Sequence, residues 1–253
     1  MSTAHQIPVL QKAIRVLAAV AEDRGELTPR ALARTLDIAP ATGYRIIQTL
    51  AQAGWLQLRA DGRCELGLGL VPLLQRLQRH ELLGRQVVET LRELTAVTGV
   101  ASKVSVRDGA EALTVLRVDS AEPMALAVRP GARFHLALGA SGAVLMSALA
   151  DAEIRQIICG APPGCWQWQK PADAWCRVTE VRQRGVVVDL GKYRPDIFGI
   201  SAPLLDLEGR IQGALTLTGL LHGHSKSQLA AWQKLVTKKA AALNQGRTLH
   251  ENH

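Results

Sequence analysis

At 253 residues, 47% hydrophobic and 21% charged, the chain has the length of two domains and the composition of a globular protein, which excludes disordered and collagen-like classes. The net charge of +8 is dispersed, with 8 Lys+Arg against 6 Asp+Glu in residues 1–68 and 18 against 13 in residues 100–253, so it permits a nucleic-acid partner without singling one out. No run reaches the roughly 18 apolar residues of a membrane span, the N-terminus lacks a signal-peptide layout, and Cys64, Cys159, Cys165 and Cys176 show no CxxC spacing, which together predict a cytoplasmic protein with reduced thiols, no structural zinc, no cofactor and no membrane association.

Val9 to Arg24 reads as an amphipathic helix with Leu10, Ala13, Ile14, Leu17, Val20 and Ala21 on one face and Gly25 as its stop. Residues 28–47 then carry the spacing of a helix-turn-helix. Thr28 is a suitable N-cap with Pro29 at the first helical position; Ala31, Leu32 and Leu36 form an inner face, and Asp37-Ile38-Ala39 makes the turn. Pro40 restarts the chain, and Gly43, Ile46, Ile47 and Leu50 recur as the buried stripe of a second helix. That leaves Ala41, Thr42, Arg45, Gln48 and, in part, Tyr44 facing outward. Methyl, hydroxyl, amide and guanidinium groups on such a face suit contacts with base edges and phosphates in a major groove.

After Gly54, Trp55 to Arg59 and Arg63 to Leu66 alternate around Asp61-Gly62 and predict a hairpin. Three helices and a hairpin in this order make a winged helix. Arg59 and Arg63 at the wing tip can reach a phosphate backbone; in the plainer reading the hairpin covers the core and its arginines stay in solvent. Thr28, Ala41, Thr42, Tyr44, Arg45, Gln48, Arg59 and Arg63 are the candidate DNA-contacting residues.

Gly67-Leu68-Gly69 looks like a joint, followed by a short linking helix over Leu70 to Gln78 and a second helix from about Glu81 to Thr98. The apolar residues of that second helix, Leu82, Leu83, Val87, Val88, Leu91 and Leu94, face either a partner subunit or their own domain. Strands are expected over 100–107, 112–119 and 124–128, with a turn at Asp108-Gly109. Gly139-Ala140-Ser141-Gly142 opens an apolar helix reaching Leu149, where free backbone N–H groups can hold a carboxylate; a Gly/Ala-rich stretch used for close packing fits the residues equally. A loop with Pro162, Pro163, Gly164, Trp166 and Trp168 comes next, then a helix through Glu180 to Arg184 ending at Gly185. Strands over 200–205 and 211–218 flank the turn Asp206-Leu207-Glu208-Gly209, and a final helix covers about 225–243. Antiparallel strands with helices and no repeated strand-helix unit indicate an α+β domain rather than a Rossmann one. A rival class is an enzyme with Cys176 as nucleophile or His222-Gly223-His224 as metal ligands, but no further ligands stand at suitable spacing.

Taken together, the sequence resembles the IclR family of bacterial transcriptional regulators over nearly its whole length. The resemblance is carried by Leu10 to Leu17, Leu32-Ala33-Arg34-Thr35-Leu36, Ala41-Thr42-Gly43-Tyr44-Arg45 and Gly62 to Gly67 in the N-terminal part. In the C-terminal part it is carried by Arg184-Gly185, Asp189, Ile200-Ser201-Ala202-Pro203, Asp206 to Arg210 and Ala214 to Gly219. It implies an N-terminal winged helix-turn-helix (6–68), a linker helix (69–82) and an α+β GAF-like effector-binding and oligomerisation domain (83–250). It also implies double-stranded operator DNA and a small carboxylate effector as partners, and a homo-oligomer that is a dimer or a dimer of dimers. The positions matching the family's effector site are Gly139, Ala140, Asp189, Gly199, Thr216 and Thr218. Ala41 stands where a Ser is usual, Gly199 where many members carry Cys or Ser, Lys192 where an acid is common, and Ala137 where a His is often found. These departures leave open an effector other than the family's small keto acids, or a DNA-binding protein that takes no ligand.

Overall fold

The computed structural model describes residues 7–23, 25–78, 82, 84–120 and 129–247. The strand expected over 124–128 lies outside them. The chain divides into two compact units, Met1–Arg79 and His80–His253.

In the first unit, helices α1 (Pro8–Glu22), α2 (Pro29–Thr35) and α3 (Pro40–Gln52) precede a hairpin of β1 (Leu56–Leu58) and β2 (Cys64–Leu66). Thr28 Oγ1 accepts from Ala31 N–H at 3.3 Å and Pro29 occupies the first turn, as a start signal of this kind dictates. Asp37 makes the turn into α3 with a φ of 52°, in the left-handed region that Asp tolerates better than most residues. Helices α2 and α3 meet closely, and a Cβ on Gly43 would lie 3.0 Å from that of Ala33. The core of the unit is Val16, Val20, Leu32, Ile38, Ile46, Ile47, Leu50, Leu56 and Cys64.

Two details of the periodicity differ from expectation. Val16 and Val20 are the buried residues of α1, while Leu10 and Ile14 are 56% and 66% exposed, because the contact runs along one edge of the apolar stripe rather than its centre. On α2, Ala33 rather than Ala31 is buried beside Leu32. The expected joint at Gly67-Leu68-Gly69 is also stitched down: Gly67 N–H donates to Trp55 O and Gly69 N–H to Gly54 O, both at 2.8 Å. No side chain fits there, since a Cβ on Gly67 would fall 2.1 Å from Gly54 O. A 3-10 turn at Leu68–Leu70 runs into α4 (Val71–Gln78).

The second unit is an α+β domain. Helix α5 (Arg85–Thr98), capped by left-handed Gly99, begins four residues later than expected; Leu82 instead joins the domain core ahead of it. Strands β3 (Ala101–Asp108), β4 (Glu111–Val118), β5 (Arg133–His135), β6 (Val187–Leu190), β7 (Ile197–Leu205) and β8 (Ile211–Leu220) form one antiparallel sheet in the order β5-β4-β3-β8-β7-β6. Helices α6 (Gly139–Met146), α7 (Asp151–Cys159) and α8 (Pro171–Arg184) intervene between β5 and β6, and α9 (Lys226–Arg247) closes the chain. Strands β5 and β6 and helix α7 were not expected from the sequence.

Alternation along the strands sorts residues between two cores. Leu215 and Leu217 of β8 join Leu91, Leu94, Trp232 and Val236 under α5 and α9. Ala214, on the opposite face, joins Ala140, Val144, Ile154 and Val178 under α6, α7 and α8. Thr216 and Thr218 share that second face. Helix α6 lies so close to the preceding loop that a Cβ on Gly142 would sit 2.0 Å from Leu136 O. Gly142→Ala is therefore expected to cost about 1–3 kcal/mol of overpacking, read as a lower denaturant midpoint; an unchanged midpoint would show that α6 can retreat freely.

Candidate functional sites

On the N-terminal unit, α3 presents Ala41, Tyr44 and Arg45 to solvent, with Thr42 and Gln48 half-buried beside them. Arg45 forms no ion pair among the described residues; its backbone carbonyl accepts from Thr49 Oγ1 at 2.8 Å, so only the main chain is engaged. Thr28 is occupied as the cap of α2. The wing arginines are not free in solvent: Arg59 Nη1 lies 2.5 Å from Glu65 Oε1, and Arg63 Nε lies 3.7 Å from Asp61 Oδ2. A phosphate approaching Arg59 competes with Glu65. Glu65→Gln is thus expected to strengthen non-specific duplex binding and steepen its dependence on log salt by about one contact; an unchanged slope would leave Arg59 outside the DNA interface.

In the C-terminal unit, Gly139, Ala140, Asp189, Gly199, Thr216 and Thr218 all line one cavity of about 240 Å³. Phe134, Leu138, Tyr193, Ile197 and Phe198 supply its apolar walls, and Lys103, Arg133 and Arg194 also line it. At its floor lies a hydroxyl relay: Ser141 Oγ is 3.0 Å from Thr216 Oγ1, which is 2.8 Å from Ser201 Oγ, and Ser201 donates to Leu215 O at 3.2 Å. Thr218 Oγ1 donates to Phe198 O at 2.8 Å. Gly139 adopts a φ of 63° at the start of α6, and a Cβ there would touch the Tyr193 ring at 3.4 Å. A Cβ on Gly199 would meet that of Ala140 at 3.2 Å, so the small residues serve close packing and an open helix N-terminus at once.

Asp189 is part of a buried network rather than a free carboxylate. Its Oδ1 accepts from Lys192 N–H at 2.9 Å and Tyr193 N–H at 3.2 Å, holding the loop after β6. Its Oδ2 lies 2.9 Å from Arg177 Nη1 in an ion pair that lacks hydrogen-bond alignment. Arg177 Nη2 donates to Ala137 O at 3.1 Å and to Gln169 Oε1, and Gln169 Nε2 donates to Ala137 O at 3.0 Å. Burial lowers the Arg177 pKa, with Asp189 opposing the shift. This network ties α8, β6 and the turn before α6 together around the cavity.

The residues of the rival enzyme reading are engaged separately. His222 Nε2 lies 2.9 Å from Asp196 Oδ1, whereas His224 packs edge-on to Trp232 at 4.8 Å between ring centres. Cys176 is exposed on α8.

The model of the IclR C-terminal domain of bacterial transcriptional regulators matches residues 75–245, and that of the IclR helix-turn-helix domain matches residues 9–60. The chain belongs to the IclR family. Its function class is DNA-binding transcriptional regulation rather than enzymatic catalysis. Among IclR relatives, the HTH-type transcriptional regulator BhcR of Paracoccus denitrificans is 24% identical over 244 residues, covering 95% of this chain and 87% of the relative. XynR of Escherichia coli is 23% identical over 255 residues, covering 94% and 97%. Two solved IclR structures share the fold: that of Thermotoga maritima, with a TM-score of 0.75, 16% identity and 96% and 99% coverage, and a Microbacterium hydrocarbonoxydans homologue complexed with 4-hydroxybenzoate, with a TM-score of 0.76, 19% identity and 95% and 99% coverage. The expected architecture, a winged helix-turn-helix followed by a GAF-like α+β domain, is borne out. No helix among the described residues is long and apolar enough to cross a membrane.

Sequence reasoning missed Lys103, Phe134 and Tyr193 as cavity residues, and Arg177 as the partner of Asp189. The one local signal was a lysine inside the apolar and small-residue run Val100 to Val106, and alternation does not say which way it turns.

Proposed function

We propose that this IclR regulator binds a pseudo-palindromic operator as a dimer or dimer of dimers, and that a small organic acid in the C-terminal cavity changes that binding. Residues 6–68 act as the DNA-binding domain, 69–82 as the linker helix, and 83–250 as the effector-binding and oligomerisation domain. Arg45, Thr42, Tyr44 and Gln48 of α3 read or position the duplex, Ala41 leaves room for its approach, Thr28 contributes at the start of α2, and Arg59 and Arg63 track the backbone. The observation that carries the effector half is the convergence of six family-matched positions on one cavity at the N-terminus of an eight-residue helix. Arg133 is shared with Asp108 and Glu111, and Asp189 with Arg177, which leaves Lys103 and Arg194 as lining cations with no carboxylate partner among the described residues, so the lining favours an anion. The 4-hydroxybenzoate held by the Microbacterium homologue is a ligand of that class.

Selection of bound duplexes from a random pool tests the DNA half. A dyad-symmetric consensus with half-sites about one helical turn, or a multiple of it, apart is expected from two-fold symmetry. Enrichment of a sequence with no dyad would contradict the oligomeric reading, and no enrichment would contradict specific DNA binding.

A further inference from the structure

We infer that Lys103 is the counter-charge for the effector's carboxylate, and that the effector is a monoanion with an apolar body about the size of a six-membered ring. This deepens the reading of the cavity as the effector site and rests on it. Lys103 sits on β3 opposite Thr216 of β8, and the Thr216 hydroxyl touches Ser141 in the first turn of α6. The base of the lysine is thus next to the helix start whose unpaired N–H groups favour an anion. The side chain is 6% exposed, yet no carboxylate or hydrogen-bond acceptor pairs with its ammonium among the described residues. Its Nζ stands 4.2 Å over the ring of Phe134, another cavity residue. That aromatic face attracts the ammonium but is no counter-charge, and a buried cation without one is costly and seldom retained.

The cross-strand neighbour makes this sharper. Lys103 is paired in register with Arg117 of β4, a like charge, where an acid would be the stabilising choice. Burial first, and Arg117 second, push the Lys103 pKa down to about 7. The remaining charged and titratable groups on the elements around it are Arg107 and Asp108 of β3, Glu111 of β4 with Asp119 just after it, Arg133 and His135 of β5, the Arg177–Asp189 pair of α8 and β6, and Tyr193 and Arg194 of the following loop; Asp119 pairs with Arg117, and Asp108 and Glu111 with Arg133. Asp189, the one acid lining the cavity among the described residues, is taken by Arg177 and two backbone amides, so an incoming carboxylate meets an unshared cation.

The size follows from the walls. A volume of about 240 Å³ lies just under the range of drug-sized pockets, and Phe134, Leu138, Tyr193, Ile197 and Phe198 present carbon to the ligand. A two- or three-carbon keto acid would leave those walls wetted; a benzoate-sized acid covers them.

The test uses the full chain, its Lys103→Met and Lys103→Arg variants, and matched acid and amide pairs: benzoate with benzamide, 4-hydroxybenzoate with 4-hydroxybenzamide, phenylacetate with phenylacetamide. Titration calorimetry at pH 6.5 is expected to show at least one acid binding the parent chain. Lys103→Met should weaken it on the order of ten- to a hundredfold, the range of a hydrogen bond to a charged group, with Lys103→Arg intermediate and amide binding unchanged. An acid that binds Lys103→Met within twofold of the parent would overturn the inference and leave the effector reading standing. An equal loss of acid and amide would mark a structural role and also overturn it. If no acid binds the parent chain, the effector reading fails and this inference fails with it.

A second readout needs no effector. The Lys103 pKa is lowered in the folded chain from an ordinary 10.5, so the unfolded chain holds more protons between about 7 and 10.5 and the empty protein gains stability as pH rises through that window. The cost is fully present below pH 7. Lys103→Met should therefore melt above the parent at pH 6.5, the gain shrinking toward pH 10. A variant melting below the parent across the range would show that Lys103 already has its partner within the fold.

Discussion

Arg45→Ala is expected to lower affinity for the operator by about 5- to 150-fold, or roughly 1–3 kcal/mol, the worth of a bidentate arginine contact to guanine. Non-specific affinity should fall far less, since the other basic groups of the unit remain. The structural ground is the difference among the arginines of the N-terminal unit. Arg59 and Arg63 already face Glu65 and Asp61, so their gain on meeting a phosphate is reduced by the pairing they give up. Arg45, exposed on α3 with its guanidinium forming no ion pair among the described residues, gives up only water. Anisotropy titrations against operator and scrambled duplexes at one salt concentration measure both quantities. Equal losses on the two duplexes would make Arg45 a phosphate contact, and no loss on either would remove α3 from the interface.

The second large effect is expected at the buried pair beside the C-terminal cavity. Arg177→Met leaves Asp189 with its Oδ1 held by two backbone amides and its Oδ2 without a counter-charge, in a site where both side chains are almost fully buried. Removing one partner of such a pair costs about 3–5 kcal/mol because the remaining charge is stranded. Arg177 also holds Ala137 O and Gln169, so the turn entering α6 loses an anchor. Denaturant unfolding followed by fluorescence of Trp166, Trp168, Trp175 and Trp232 in a Trp55→Phe background reports on this unit. The double variant Arg177→Met with Asp189→Asn should recover much of the loss, because removing both charges removes the stranded one. A single variant within 0.5 kcal/mol of the parent, a margin typical of neutral surface changes, would show that the network does not hold the wall.

How far the sequence discloses these features depends on what each residue's neighbours are. Thr28 with Pro29, Asp37 in a turn, and the stripe Gly43, Ile46, Ile47, Leu50 are local signals, and local geometry follows them. The face of α1 is less legible, because Leu10 and Ile14 match the helical period as well as Val16 does and only the position of α3 decides which edge is covered. Strands β5 and β6 have three and four residues, too short for alternation to register, and they owe their existence to pairing with β4 and β7. The cavity is half legible. Gly139, Ala140, Asp189, Gly199, Thr216 and Thr218 come from motifs, whereas Lys103 lies some 36 residues earlier than Gly139 on a strand with helices over both faces. Periodicity cannot tell a lysine turned toward such a cavity from one turned toward solvent. Asp189 is legible as a site residue, but its engagement with Arg177 and the loop amides is tertiary and gives it a different role from a ligand acceptor.

An acid in the C-terminal cavity is proposed to change the affinity of the helix-turn-helix for its operator. Coupling of this kind requires the acid to bind the two DNA-affinity states unequally. The most direct measurement is anisotropy titration of the full chain against labelled DNA from upstream of its own gene, at fixed salt, with and without saturating 4-hydroxybenzoate, benzoate or phenylacetate. Preference over an unrelated duplex is expected, with at least one acid shifting the operator affinity by about fivefold or more, the lower end of ordinary allosteric coupling. Saturable binding of an acid with operator affinity unchanged would contradict it.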